Sequence, residues 1–78
     1  MSEILIGQLT ELDLDKFTGK VSVLGKQDRI DIVFPESHKG TLRRRFASIV
    51  SLRGTYIDNG KLLDVETVLG TAAHKGDF

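Results

Sequence analysis

Apolar side chains fall on every second residue through much of the stretch from Phe17 to Phe34, and the same period returns between Val50 and Val65. Alternation by two places one set of side chains on each face of an extended chain, so these segments fit half-buried β-strands and do not fit helices. Residues 16–24 send Phe17, Gly19, Val21 and Val23 one way and Thr18, Lys20 and Ser22 the other. Residues 29–34 bury Ile30, Ile32 and Phe34 in the same manner, and the polar stretch 25–28 between the two runs predicts a tight hairpin connection.

Residues 3–10 supply an earlier strand, rich in β-branched and apolar types, in which Leu5, Gly7 and Leu9 share a face. The aspartates of residues 11–15 favour a turn after it, because their carboxylates bond neighbouring backbone N–H groups. Pro35 ends the third strand, and Ser37 then offers a capping hydroxyl. Leu42, Phe46 and Ile49 stand at i, i+4 and i+7, which predicts a short helix from about His38 to Ser48 with that stripe in the core. Residues 49–56 return to strand character with Val50, Leu52 and Gly54 on one face, and Asp58-Asn59-Gly60 is a turn signal. Residues 61–69 form the last strand. Its inward set runs Leu63, Val65 and then Val68 rather than Thr67, an odd step that predicts a bulge. The elements make one domain over residues 1–70, and the small, unpatterned residues 71–78 are expected to form a flexible tail.

Five strands with one short helix between the third and fourth satisfy their edges by closing on themselves. The expected fold class is therefore mainly β, a five-stranded closed or partly open barrel. Gly7, Gly19 and Gly54 suit it, since strands coiling round a small barrel bend where no side chain meets the opposite wall. A chain of 78 residues supports one core and one site at most. Without cysteine there is neither a disulfide framework nor a thiolate zinc site, so packing alone must hold the domain. No apolar run approaches the ~18 residues of a spanning helix. The start, Met1-Ser2-Glu3-Ile4, lacks the basic and apolar regions of a signal peptide, which leads us to expect a cytoplasmic location and no membrane partner.

The strand order, the helix position and two strand glycines, Gly7 in Ile6-Gly7-Gln8-Leu9 and Gly54 in the run Val50 to Tyr56, resemble the OB-fold over residues 3–69. In size and strand order the chain is similar to bacterial translation initiation factor one. The run Val50 to Glu66, with its Gly-Thr-Tyr, Asp-Asn-Gly and Leu-Asp-Val-Glu, also looks like the closing hairpin of small uncharacterised bacterial barrel domains. OB-folds mostly bind oligonucleotides, oligosaccharides or proteins, so the resemblance implies binding and leaves the ligand open.

The formal net charge of zero conceals an asymmetry. Residues 1–15 hold four acids and no base, whereas residues 16–53 hold nine bases against three acids. If the basic stretch gathers on one side, it suits nucleic acid; antiparallel pairing can equally set it among acids. Lys16, Lys20, Arg29, Arg43, Arg44, Arg45 and Arg53 are the candidate phosphate contacts, with Tyr56 as a stacking ring or a barrel-end residue. At about 100° per residue the three consecutive arginines fan around a helix instead of forming one stripe. Phe17, Phe34 and Phe46 are assigned to the core, which leaves the outer face of strands two and three without aromatics and argues against base-by-base recognition.

Catalysis has no candidate team. His38 and His74 lack converging partners, Asp13 and Asp15 lack the glycine and distal glutamate of a calcium loop, and no serine stands in a nucleophile elbow. Neither an enzyme nor a cofactor is expected. Ile4, Ile6 and Leu14 are apolar residues left over once the inward faces are filled. They form an exposed patch, or the first strand is buried on both sides, or its register is displaced by one. Two readings follow. One is a non-catalytic module that binds single-stranded or structured RNA or DNA through backbone charge, and the other is a protein-interaction module or homo-oligomeric subunit using the Ile4, Ile6, Leu14 patch.

Overall fold

The computed structural model describes residues 2–69, so the expected tail over residues 71–78 lies outside the described residues. In chain order the elements are β1 (Glu3–Asp13), β2 (Thr18–Val23), β3 (Arg29–Val33), a 3-10 turn (Glu36–His38), α1 (Lys39–Arg44), β4 (Ile49–Ile57) and β5 (Leu62–Leu69). The strands close into a barrel in the order β1-β2-β3-β5-β4. Only β3 and β5 run parallel, and the helical segment crosses between β3 and β4. This is an OB-like barrel, as the sequence pattern implies.

The alternating faces define the core. Leu5, Leu9, Val21, Ile32, Phe34, Leu42, Val50, Leu52, Leu63 and Val65 are all buried, and among the described residues no polar side chain is buried with them. Each such aliphatic side chain contributes about 1.5–3 kcal/mol by leaving water. Phe17 sits in the turn before β2 with φ at 58° and packs edge-on against Phe34, ring centroids 6.2 Å apart. The anticipated bulge lies in β5: Arg53 pairs with Thr67 and Gly54 with Val65, which leaves Glu66 as the extra residue. Gly54 must lie flat there, since a Cβ would collide with the Asp64 carbonyl oxygen. Gly7 faces the carbonyl of Ser22 in the same way.

β1 is longer than expected. Residues 3–8 pair with β4 and residues 7–13 with β2, and a register shift between Leu9 and Glu11 lets the strand bend from one neighbour to the other. The expected turn over residues 11–15 therefore begins later, at Leu14. The Asp13 carboxylate does supply the turn chemistry, accepting from the backbone N–H groups of Asp15 and Lys16 at 3.0 Å each.

The helix is shorter than expected and ends at Arg44. The cause is long-range: Ala47 N–H donates to the Leu9 carbonyl at 2.8 Å, and Leu9 N–H donates to that of Ser48 at 3.0 Å. Those bonds recruit residues 47–48 to the edge of β1, and the chain turns through a left-handed Ala47, φ 70°, to reach them. The predicted stripe is thereby broken. Leu42 remains fully buried, while Phe46 is 50% and Ile49 41% exposed, so Phe46 is not a core residue. Nor does Ser37 cap the helical segment through its side chain.

Candidate binding groove

The residues expected to contact phosphate are spread around the barrel. Lys20 and Arg29 lie in the β2–β3 ladder, in register with Asp31 and Ser22 respectively. Lys16 is exposed in the turn between β1 and β2. Arg43 and Arg44 end α1 with Arg45 as its C-cap, Arg43 and Arg44 exposed and Arg45 half-buried. Arg53 stands on β4, opposite Ile4 and Thr67. Tyr56 is half-buried, packed against the core in register with Leu63.

Pairing register also decides the electrostatics of the β2–β3 face. Glu11 pairs with Lys20, and Lys20 with Asp31, so an acid flanks the ammonium on each side. Lys20 Nζ donates to Asp31 Oδ1 at 2.7 Å. The hydrogen bond to Asp31 and its charge, with a smaller contribution from Glu11, hold the Lys20 ammonium above its ordinary 10.5 despite the opposing Arg29. The pair lies at the surface, where such a bridge is worth about 0–1 kcal/mol.

An open groove of about 950 Å³ lies on this side of the molecule. Its walls come from residues 10–15 of β1 and the following turn, from Thr18, Gly19 and Lys20 of β2, from Asp31 and Ile32 of β3, and from Phe46 and Leu62. Among the described residues four acids, Glu11, Asp13, Asp15 and Asp31, line it against the single ammonium of Lys20. Leu12, Leu14, Leu62 and the exposed ring of Phe46 supply apolar surface. The groove follows from two features of the backbone. β1 overhangs the start of β4, since its ladder with that strand stops at Gln8 and Ile49. The broken helix then sets Phe46 beside the overhang.

Of these groove residues Lys20 belongs to the expected phosphate contacts and Leu14 to the expected apolar patch. The acidic run 11–15 was a visible signal, but its meeting with Asp31 and Phe46 depends on register and on the bonds from Ala47 and Ser48 to Leu9. Leu14, grouped in the sequence with Ile4 and Ile6, lines the groove instead of joining them.

Among the described residues no helix is long and apolar enough to cross a membrane, and no group of three or more His, Asp or Glu side chains is placed to hold a metal ion. His38 Nε2 lies 2.9 Å from the carbonyl of Glu66, tying the helical segment to the bulge of β5. The chain matches no protein-family model, and no curated protein is significantly similar to it. The class of the molecule accordingly rests on its fold: an OB-like barrel with an acidic, partly apolar groove.

Proposed function

We propose that the chain is a non-catalytic binding module whose groove receives an extended, positively charged segment of a protein partner. The observation that carries this reading is the lining itself: four carboxylates against one already paired ammonium, beside an exposed phenyl ring. A phosphate backbone entering the groove would meet like charge, at about 0.5 kcal/mol per pair at 8 Å in water before screening. Arginine and lysine side chains find carboxylates there, and their stems or guanidinium planes can cover Phe46.

Fluorescence anisotropy with a short labelled Arg/Lys-rich peptide, an acidic control peptide and single-stranded RNA, each at low and moderate salt, tests this. The basic peptide is expected to bind and to weaken with salt. The combined substitution Glu11→Gln and Asp15→Asn should cost about two- to tenfold in affinity at low salt. No binding of the basic peptide at low salt would overturn the reading.

A second reading keeps nucleic acid as the ligand, on the helix side. Arg43, Arg44 and Arg45 make no salt bridge among the described residues, which favours it. The same titration decides: RNA binding abolished by Arg43→Ala with Arg44→Ala, in the absence of peptide binding, selects this alternative.

A further inference from the structure

The groove already holds a cation of its own. Lys20 stands in the middle of a row across three strands, directly opposite Glu11 of β1 on one side and Asp31 of β3 on the other. Opposed side chains of an antiparallel ladder share a face, so the three ionic groups meet over one patch of the groove wall. Lys20 Nζ donates to Asp31 Oδ1 at 2.7 Å, the one salt bridge among the described residues. Both partners remain in contact with water, their side chains 40% and 55% exposed. An exposed pair of this kind is weak and readily exchanged.

We propose that Lys20 is a tethered stand-in for the partner's cation at Asp31, so that the entering segment binds by displacing it and does so with arginine. This rests on the reading of the groove as a receptor for basic side chains. Displacement has a cost that every ligand meets. Because Lys20 is attached one strand away from Asp31, its local concentration at the carboxylate far exceeds that of a free side chain. An incoming ammonium brings the same point charge that it removes, and the exchange is neutral. A guanidinium lays two parallel N–H···O bonds on the carboxylate, where Lys20 makes one to Oδ1, so its exchange is favourable. The freed ammonium stays solvated on its flexible stem, in the field of Glu11, which makes no salt bridge among the described residues. Lys20 thereby lowers the affinity for any basic segment, while Asp31 sets the preference for arginine.

Phe46 lines the same groove and favours a guanidinium by stacking, independently of Lys20. Substitutions at Lys20 and Asp31 separate the two contributions, because only the exchange depends on both.

Anisotropy titrations of the full chain at moderate salt test the proposal, with two labelled peptides of equal length and charge that carry arginine or lysine at every basic position. The arginine peptide is expected to bind the parent about threefold more tightly or better. Lys20→Met keeps the apolar stem and should tighten both peptides about two- to fivefold, with unchanged far-ultraviolet dichroism. Asp31→Asn should narrow the preference for arginine about twofold or more, and Lys20→Met made on top of it should gain less than about half as much as in the parent. Lys26→Met removes the same charge from the β2–β3 connection, outside the groove, and should leave both affinities within about 1.5-fold. If neither peptide binds, the groove reading falls and this inference with it. Three results overturn the displacement alone and leave the groove reading in place: a Lys20→Met variant that binds no more tightly than the parent, an equal gain with and without Asp31, or a lysine peptide as tight as the arginine one.

Discussion

Gly54→Ala probes the barrel where two strands approach most closely. Its Cβ would strike the Asp64 carbonyl oxygen and lie 3.0 Å from Val65 Cα, both backbone atoms of the neighbouring strand. Neither can swing aside as a side-chain terminus can. Relief requires β4 and β5 to part locally, which costs about 1–3 kcal/mol of overpacking and weakens one or two ladder hydrogen bonds at about 1 kcal/mol each. We expect a total of about 2–4 kcal/mol. A domain of this length has roughly 4–12 kcal/mol of stability, so the variant should still fold in water over all but the lowest end of that range. Urea unfolding followed by far-ultraviolet dichroism would read the change as a midpoint lowered by about 2–4 M, taking a slope near 1 kcal/mol/M for a small protein. Gly40→Ala is the matched control. It makes the same chemical change in α1, where the nearest atom is the Nη1 of Arg44 at 3.7 Å, and should be neutral or stabilising by up to about 1 kcal/mol. A Gly54→Ala midpoint equal to that of the parent or of Gly40→Ala would refute the argument that close strand approach selects this glycine.

Three further outcomes follow from the same geometry. Lys20 has a folded pKa above its ordinary 10.5, so on the alkaline side its contribution is present below that value and is lost as pH climbs through the raised one; the difference in urea midpoint between parent and Lys20→Met should shrink as pH rises through it. Ala47 holds φ at 70°, a strained conformation for an L side chain, so Ala47→Gly should be neutral or raise stability by up to about 1 kcal/mol in the same assay, unfolded-state entropy offsetting part of the relief. Ile6→Lys should leave the affinity of the basic peptide within about twofold, because Ile6 is outside the groove and shares no partner with its lining.

The sheet was legible because its signal is local. Leu5 and Leu9, Val50 and Leu52, Leu63 and Val65 alternate within single segments and are buried as that alternation demands. Even the bulge in β5 announced itself, by the apolar step from Val65 to Val68. The helix misled for the opposite reason. Leu42, Phe46 and Ile49 have helical spacing, but the backbone of Ala47 and Ser48 bonds Leu9, about forty residues away, and no local pattern reports that competition. Residues 11–13 read as a turn from their aspartates, yet the bend at Thr10 keeps them in β1 and postpones the turn to residues 14–17. The groove was hidden for both reasons together. Helical spacing points Phe46 into the core, and the aspartates point residues 11–15 into a turn.

Charge carries the last step. An asymmetry of nine bases against three acids in the middle of the chain looks like a phosphate-binding surface when read along the sequence. Folding redistributes it: antiparallel pairing threads Lys20 between Glu11 and Asp31, sends Arg53 to the β1–β4 seam and leaves the three consecutive arginines at the end of α1. The face flanked by the first turn thus acquires a surplus of carboxylates, although the segments that build β2 and β3 are themselves basic on balance. A barrel topology fixes which strands neighbour one another, and neighbours fix the local field. Two chains with this topology and the same composition can therefore present opposite potentials in the same groove, which is why the fold supports the inference of binding while the pairing register has to choose the partner.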